Sequence, residues 1–464
     1  MIRIHRLAAA VAVLLSVSIA PAMAQNSRGA PEMDSTPATE SASAASTGGA
    51  VFRTVANPQT VVALALPDAQ EMSLLAERRR LQDKHGEPLE IALGRETAAS
   101  AMPLDKLQWQ SLADGSLGSQ LRVQSDGAVA LRAALEFLAP ANGARINYQD
   151  ITLRFRGDDG QTFEVAGKDL IVGEANWSPV VTGQALTIEI VLAPGSQAQA
   201  LSLRIPQLSH FDLNPASTDE AVGLKIGESD YCERDIVCRT SPPSGFTSTA
   251  NAVARMVFTK GSSSYLCTGT LLNNGHSPKK RLFWTANHCI STQSVANTLQ
   301  TYWFYQATTC NGSTVSPSAR TLTGGAYLRH NNRSRDTALL ELKTAPPSGA
   351  IYAGWNSSAI AATNTAIEGI HHPAGDVKKY SLGKVTQLSG NIDGLGPFYR
   401  VQWSLGVTEG GSSGSGLFTV SGTGSYQLRG GLYGGYSYCS APTDPDYYSR
   451  LADVYSSISS YLTP

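Results

Sequence analysis

The feature that most constrains this chain is a turn made only of glycine and serine, residues 410–416, with the sequence Gly-Gly-Ser-Ser-Gly-Ser-Gly. Apolar residues stand on both sides, at 401–405 and 417–420, and this pattern predicts a tight turn between two strands. Taken alone, a run of this composition is more often a flexible loop than a reactive site. It becomes a candidate site only through other stretches of the chain.

Length, charge and glycine content narrow the class of protein. At 464 residues the chain has room for two or three domains. Its net charge of −1, with 16% charged residues, leaves no basic stripe and no acidic tail, so no nucleic-acid partner is predicted. The 43 glycines and the scarcity of helix-favouring runs favour β structure.

The first 24 residues have the pattern of a secretory signal peptide. Arg3 and Arg6 give a positive start, residues 7–20 form an apolar core, and residues 22–24 (Ala-Met-Ala) form a cleavage site. The apolar core is too short to span a membrane, which makes an uncleaved anchor the weaker alternative. We therefore expect a secreted protein, extracellular or periplasmic, with no membrane segment in its mature form and able to keep disulfides.

Before the first cysteine the sequence predicts a linker followed by a β module. Residues 25–50 are rich in Ser, Ala, Thr, Gly and Pro and are predicted to be a disordered linker. Residues 51–68 are predicted to be extended and residues 69–83 to be helical. From 121 to 208, short alternating strands separated by Asp-Gly and Pro-Gly turns predict a small antiparallel sandwich, in which the lone His210 is structural.

Residues 226–464 carry strand signals at short intervals and end in a periodic stretch. The size and pattern fit antiparallel β-barrels closed by one terminal helix, which we place at 451–462. Strands are predicted at 252–258, 266–272, 281–285, 301–305, 337–342, 401–405, 417–420 and 426–433.

Two stretches of this half supply what a serine nucleophile needs. Residues 285–289 (Thr-Ala-Asn-His-Cys) contain His288, and residues 335–340 (Arg-Asp-Thr-Ala-Leu-Leu) contain Asp336. A serine hydroxyl attacks an amide only when a base takes its proton, and histidine suits that role because its unperturbed pKa lies near neutrality. Asp336 would hold the right tautomer and stabilise the imidazolium. Histidine, aspartate and then a serine in a Gly-rich turn is the chain order of one serine-protease architecture.

The half from Cys232 onward resembles the secreted bacterial trypsin-like proteases of the lysyl endopeptidase group. The resemblance implies two chymotrypsin-like antiparallel β-barrels with a C-terminal helix, and a serine endopeptidase that acts on protein or peptide substrates through an acyl-enzyme. We expect a monomer that needs no cofactor. The matching pieces, in family order, are 267–273 (Cys-Thr-Gly-Thr-Leu-Leu-Asn), 285–289, 336–342, 353–355 (Ala-Gly-Trp), 370–373 (Ile-His-His-Pro), and 401–403 with 407–415.

Three serines of the turn, Ser412, Ser413 and Ser415, compete for the role of nucleophile. The frame Gly-x-Ser-Gly selects Ser413. In that frame the N–H groups of Gly411 and Ser413 form the oxyanion hole, and only a residue without a side chain easily makes the turn at Gly411. A catalytically inactive binding protein of the same fold is the alternative, and the presence of all three candidate triad residues weighs against it.

The six cysteines allow 15 pairings, and the sequence alone leaves them open. The resemblance implies that Cys232 pairs with Cys439, Cys238 with Cys310, and Cys267 with Cys289. The last pair would clamp the residue after His288 to a neighbouring strand.

A metal site is not predicted. Residues 371 and 372 are adjacent histidines, whereas a helical zinc pair needs positions i and i+4. The resemblance places this pair in a non-catalytic loop.

Residues 51–225 are predicted to be a removable pro-segment that assists folding, blocks the site and is cleaved after Lys225 to give Ile226. The motivation is a cysteine-free β module ahead of a complete protease domain; a targeting or carbohydrate-binding module is the competing interpretation. In many animal trypsin-like enzymes the new N-terminus pairs with an Asp just before the nucleophile. That position is Ser412 here, so activation is expected not to depend on a buried terminal amine.

The substrate pocket is predicted from its wall and its floor. Tyr433, Gly434 and Gly435 lie where this architecture builds one wall, and the two glycines leave room for a long side chain. Asp446 matches an acidic residue that resembles a pocket-floor charge in the family, with Asp444 as the alternative. A carboxylate in a partly desolvated pocket attracts a cationic side chain and rejects an acidic one.

The sequence departs from the strict lysine enzymes at two positions. Tyr433 stands where those enzymes carry a histidine, and Gly390 lies near where they carry a tryptophan. We therefore expect cleavage after both Lys and Arg, with a non-basic specificity as the alternative.

Overall fold

Strands dominate the structure. The computed structural model describes residues 30–38, 50–55, 57–82, 86–138, 148–171, 173–196, 202–213, 215 and 229–464. The signal peptide and the Lys225–Ile226 junction predicted above lie outside the described residues. All elements named below belong to the unit Pro31–Pro464. Within the described ranges, no helix is long and apolar enough to cross a membrane.

The part before the first cysteine contains short strands and one long helix, α1 (Ala69–Gln82). The strands are β1 (Glu32–Met33), β2 (Thr36–Pro37), β3 (Gln59–Leu64), β4 (Leu89–Glu96), β5 (Met102–Pro103), β6 (Gln110–Ser111), β7 (Leu117–Ser125), β8 (Ala130–Leu138), β9 (Ile151–Arg156), β10 (Thr162–Ala166), β11 (Asn176–Trp177), β12 (Val181–Thr182), β13 (Ala185–Leu192), β14 (Ser202–Arg204) and β15 (Gln207–Phe211).

The part from the first cysteine onward contains three helices, α2 (Phe246–Ala250), α3 (Gln293–Asn297) and α4 (Leu451–Leu462). The strands are β16 (Arg234–Asp235), β17 (Val253–Lys260), β18 (Ser263–Leu271), β19 (Leu282–Thr285), β20 (Gln300–Trp303), β21 (Arg320–Leu322), β22 (Ala326–Asn332), β23 (Thr337–Leu342), β24 (Ile351–Tyr352), β25 (Trp355–Asn356), β26 (Ala366–His371), β27 (Lys379–Ile392), β28 (Leu395–Leu405), β29 (Gly416–Val420), β30 (Tyr426–Gly435) and β31 (Asp446–Tyr448).

Two sets of strands in the N-terminal half share one apolar core. One set runs β10-β9-β13-β7-β3, and the other runs β4-β15-β8-β14-β5. Leu121 and Ile188 of the first set lie in the same buried cluster as Leu131 and Phe137 of the second. Strand β3, which precedes the stretch 121–208 predicted to be an antiparallel sandwich, pairs with β7 in parallel.

Most strands of the C-terminal half lie in two sheets. One is the open path β22-β23-β19-β18-β17-β20-β21. In the other, β30-β29-β26-β27-β28-β31, the ends also pair with each other, so the six strands form a closed ring. Helix α4 lies where the sequence predicts it and buries Leu451, Val454, Ile458 and Leu462, the spacing of one helix face.

The two halves are joined through a sheet. Strand β4 pairs antiparallel with β18, and Leu89 stands opposite Leu266. Beside this junction, the guanidinium of Arg132 is 2% exposed and donates to Thr259 Oγ1 at 2.9 Å and to the carbonyl of Thr298 at 3.0 Å. Burial lowers the pKa of Arg132 to about 10. The N-terminal half therefore contacts the C-terminal half in two ways: β4 adds to the edge of β18, and the buried guanidinium of Arg132 donates hydrogen bonds to Thr259 and Thr298.

Residues 31–38 differ from the disordered linker predicted over 25–50. Strand β1 pairs with β25, and β2 pairs with β24. Met33 also packs against a buried apolar cluster of the C-terminal half. Main-chain hydrogen bonds to a sheet edge need no apolar sequence, which is why a Ser- and Pro-rich composition did not reveal this pairing. Residues 39–49 lie outside the described residues.

Candidate active site

Strand pairing brings His288 and Asp336 together. His288 follows β19, Asp336 precedes β23, and these strands pair with Thr285 opposite Ala338. His288 Nδ1 lies 2.8 Å from Asp336 Oδ2, and the backbone N–H of His288 donates to Asp336 Oδ1 at 2.8 Å. The buried carboxylate therefore holds the proton on Nδ1 and leaves the Nε2 lone pair as a base. Nε2 is buried and has no hydrogen-bond partner among the described residues.

The Gly-Ser turn contacts β18, the strand that the Cys267–Cys289 disulfide links to the residue after His288. The backbone N–H of Thr268, in β18, donates to the carbonyl of Ser413 at 2.8 Å. The hydroxyl of Thr268 donates to the carbonyl of Gly411 at 2.9 Å. Both residues of the predicted oxyanion hole are therefore tied to the same residue of one strand.

The turn needs glycine at two positions. Gly411 has φ of +92° and Gly414 has φ of +81°. A Cβ at Gly411 would lie 3.0 Å from the carbonyl oxygen of His372, and one at Gly414 would lie 2.2 Å from Thr285 Oγ1. The turn and the chain segment that carries His288 thus approach each other more closely than a side chain allows.

The structure pairs Cys232 with Cys439, Cys238 with Cys310, and Cys267 with Cys289, as the family resemblance implies. Donor atoms of Cys267, His288 and Cys289 lie within 4.8 Å of one another, a spacing that suits a metal ion. Both sulfurs are consumed in the disulfide, however, so neither is a thiolate ligand. The disulfide instead fixes the residue after His288 to β18.

Asp446 is the buried acid of the predicted pocket. It is 1% exposed, and its Oδ2 accepts from Trp403 Nε1 at 2.6 Å, Thr408 Oγ1 at 2.7 Å and Ser437 Oγ at 2.7 Å. A Cβ at Gly435 would lie 2.4 Å from Oδ1, so only glycine fits beside this oxygen, which also accepts from the backbone N–H of Ser437 at 3.2 Å. Burial raises the pKa of Asp446, and the hydrogen bonds oppose that shift.

Asp444, the alternative acid, is exposed. The sequence gives no role to the residues that hold Asp446: Trp403 and Thr408 lie in the family-matching stretches 401–403 and 407–415, and Ser437 lies in no motif. Isolated hydroxyl residues give no sequence signal, because their role depends on which carboxylate the fold places beside them.

Tyr433 lies beside the candidate base. Its ring meets that of His288 edge-on at 5.9 Å and stacks on Phe398 at 5.3 Å. Its hydroxyl donates to Asp393 Oδ2 at 3.0 Å. Burial and this carboxylate raise the pKa of Tyr433. The ring of Tyr433 is therefore held by one stacked contact, one edge-on contact and a hydrogen bond at its hydroxyl.

The N-terminal half reaches this wall. Gly86 has φ of +53°, and a Cβ there would lie 2.3 Å from the ring of Tyr433. A Cβ at Gly434 would lie 3.2 Å from the backbone nitrogen of Gly86. Three residues later, Leu89 pairs with Leu266 of β18. Residues 86–89 therefore run from the Tyr433 wall to the strand that carries the Cys267 clamp.

Comparisons with solved structures found likenesses of low identity and low TM-score. A protease from M. tuberculosis in its active form is 17% identical with a TM-score of 0.31, covering 47% of this chain and 87% of that one. A scabies mite inactivated protease paralogue is 16% identical with a TM-score of 0.35, covering 46% of this chain and 94% of that one. These scores are too low to bear on the fold.

Comparisons of sequence are stronger. The family model "Lysyl endopeptidase N-terminal domain" matches residues 63–212, and "Lysyl endopeptidase, C-terminal domain" matches residues 226–449. A lysyl endopeptidase of Pseudomonas aeruginosa is 44% identical over 466 residues, covering 97% of this chain and 98% of that protein. Both halves therefore have counterparts in one full-length relative, and this chain, a serine endopeptidase, belongs to the lysyl endopeptidase family.

Proposed function

We propose that the protein is secreted and cleaves polypeptides after Lys and Arg, with Ser413 as nucleophile, His288 as base and Asp336 as its orienting acid. The observation that best supports this is the hydrogen bond that His288 Nδ1–H donates to Asp336 Oδ2, which leaves Nε2 as the basic nitrogen beside the turn that carries Ser413. The same arrangement is the chemical requirement for serine-based acyl transfer.

The reaction follows from these roles. Ser413 Oγ attacks the carbonyl carbon while its proton passes to His288 Nε2, and the carbonyl oxygen gains negative charge. The N–H groups of Gly411 and Ser413 bind that oxyanion, and loss of one such donor typically costs about 3 kcal/mol. His288 then protonates the leaving amine as the C–N bond breaks. Water hydrolyses the ester by the same steps in reverse order.

Basic specificity is assigned to Asp446. An ammonium or guanidinium group that enters beside Gly435 would meet Asp446 Oδ1, the carboxylate oxygen that a side chain at position 435 would overlap. The relative from Pseudomonas aeruginosa is named for lysine. We expect Arg to be accepted as well, because Tyr433 and Gly390 replace the residues that the strict lysine enzymes carry.

Residues 51–225 are assigned as a pro-segment that covers the site. The support is the path of residues 86–89 between the Tyr433 wall and β18, next to His288. Extended peptides bind proteins by adding a strand to a sheet edge, and β4 occupies the edge of β18 in that way. Pro88, buried on this path, has no N–H to donate as a substrate residue would.

Labelling with a fluorophosphonate, which reacts with activated serines, tests the nucleophile. We expect the wild-type protein and Ser415→Ala to be labelled and Ser413→Ala to be unlabelled. Label retained by Ser413→Ala would assign a different serine. Failure of the wild type to react or to hydrolyse matched Lys, Arg, Glu and Phe substrates would favour the inactive binding protein.

N-terminal sequencing of the secreted protein tests the pro-segment. We expect Ile226 as the first residue, and we expect Ser413→Ala to accumulate uncleaved. A start well upstream of 226 would show that the N-terminal module is a permanent domain.

A further inference from the structure

A buried hydrogen-bond chain lies behind the oxyanion turn. The hydroxyl of Ser412 lies 2.9 Å from His371 Nδ1 and accepts from the backbone N–H of Glu409 at 3.3 Å. On the other side of the imidazole, Nε2 lies 2.9 Å from Ser381 Oγ, and that hydroxyl donates to the carbonyl of Val407 at 2.8 Å. The chain links the residue before Ser413 to two neighbouring backbone segments.

The direction of each bond follows from counting protons. Ser381 gives its single hydroxyl proton to the carbonyl of Val407, so it accepts from His371 Nε2–H. With its proton on Nε2, the neutral imidazole has a lone pair on Nδ1, and Ser412 donates to it. Only one tautomer satisfies every member, so the hydroxyl of Ser412 has one defined orientation.

The imidazole stays neutral. His371 is completely buried, and burial, assisted by the cation of Lys379, lowers its pKa to about 3. Glu233 Oε2 lies 3.9 Å from His371 Nε2, and burial raises the pKa of this carboxyl well above its usual range. Hydrogen bonds, rather than an ion pair, therefore connect Ser412, His371 and Ser381.

The segment that carries His371, residues 371–375, also contacts the turn at other positions. The backbone N–H of Ala374 donates to the carbonyl of Gly410 at 2.7 Å. A Cβ at Gly411 would lie 3.0 Å from the carbonyl oxygen of His372. Residues 371–375 thus pack beneath the turn, and the side chain of His371 connects this segment to Ser412.

We propose that His371 is a positioning residue of the oxyanion hole, which it holds in its reactive shape through Ser412 and Ser381. It takes the place of the ion pair that an Asp at position 412 would make, so the turn is formed without a terminal amine. This inference rests on the proposed function, since it assumes that Gly411 and Ser413 bind the oxyanion.

The test compares His371→Leu with His371→Asn in the protein made from the full chain. Leu and Asn branch alike, but only Asn offers an oxygen near the position of Nδ1. For His371→Leu we expect kcat per titrated active site to fall about 30-fold, less than the 10²- to 10³-fold typical of a lost donor. KM should change by less than about twofold, and His371→Asn should recover to within about threefold of wild type.

Ser412→Ala and Thr270→Val provide a milder variant and a matched control. Ser412→Ala removes one hydroxyl and should lower kcat about 10-fold by the same reasoning, which keeps the test decisive if His371→Leu does not fold. Thr270 also has a buried hydroxyl, with no partner among the described residues, and Thr270→Val should leave kcat unchanged.

Binding of a peptide boronate, which forms a tetrahedral adduct, should weaken in parallel with kcat/KM. A merely structural role would lower thermal stability and the fraction of titratable sites while leaving kcat per site intact. Unchanged kcat per site in His371→Leu and Ser412→Ala would overturn the inference while leaving the proposed function standing. A wild-type protein whose Ser413 does not react with the titrant would overturn both.

Discussion

Replacement of Asp446 by asparagine removes the proposed pocket charge with almost no change in shape. A substrate ammonium would then be buried without a counter-charge, and removing one partner of a buried pair costs about 3–5 kcal/mol. At about 1.4 kcal/mol per tenfold, kcat/KM on Lys and Arg substrates should fall by roughly 10²- to 4 × 10³-fold. Activity on a matched Phe substrate has no charge to lose and should change little.

The cost to folding should be small and has a specific source. The side-chain oxygen of asparagine can accept from Trp403, Thr408 and Ser437, as Asp446 Oδ2 does. Its NH₂ group then faces the backbone N–H of Ser437, which donates to Oδ1 at 3.2 Å in the wild type. One unsatisfied donor costs about 1–3 kcal/mol of unfolding free energy. Thermal unfolding of the Ser413→Ala background, which cannot digest itself, measures this loss.

The assay is kcat/KM on matched Lys, Arg, Glu and Phe substrates, normalised to titrated sites. Asp444→Asn is the matched control, because Asp444 is exposed and two residues away. We expect it to stay within about twofold of wild type, since exposed single charges contribute little. Unchanged Lys and Arg activity in Asp446→Asn, with a loss in Asp444→Asn, would move the specificity to Asp444. A wild-type preference for Glu or Phe would refute the assignment altogether.

Three further predictions follow from particular contacts. Gly86→Leu, which places side-chain atoms against the ring of Tyr433, should speed fluorophosphonate labelling of the uncleaved precursor at least about 10-fold, whereas Gly160→Leu, with nothing within 4 Å of its Cβ, should not. Loss of the Cys267–Cys289 disulfide, which spans 22 residues, should lower the unfolding free energy by about 3 kcal/mol in thermal unfolding at fixed pH. Burial lowers the pKa of Lys378 to about 7, so the unfolded chain binds more protons between pH 7 and its ordinary value of 10.5. Stability of Ser413→Ala should therefore rise with pH across that window, and Lys378→Met should remove that contribution.

Some elements could be predicted because the geometry of one helix or strand fixes the spacing of its apolar residues in the sequence. Helix α4 is an example, since Leu451, Val454 and Ile458 already mark one helix face in the sequence. The β19 and β23 strands likewise read as short apolar runs. The pairing of these two strands, which brings His288 to Asp336, leaves no local pattern in the sequence, because each strand shows only its own apolar run.

Other features could not be predicted because they depend on partners distant in the chain. Strands β27 and β28 form a long hairpin whose register shifts at several points, so their polar and glycine residues break the alternation that marks a strand. Residues 31–38 have no strand pattern and become extended only beside β24 and β25. His371 looked like one half of an unexplained histidine pair until the fold placed Ser412 and Ser381 on its two nitrogens.

Because the two halves share a sheet, we expect that cleavage of the chain alone would not activate the protease. A cut after Lys225 breaks none of the contacts that hold the N-terminal half near the site: the pairing of β4 with β18, the buried guanidinium of Arg132, and the approach of Gly86 to Tyr433. Since these contacts are main-chain pairing, a desolvated cation and close packing, each persists in a nicked complex. If the proposed cut occurs, we therefore expect exposure of the site to follow from dissociation or further digestion of the N-terminal half. The proposed support of the turn by His371, rather than by a new terminal amine, suits such a sequence, because the oxyanion hole would already be formed when the covering segment leaves.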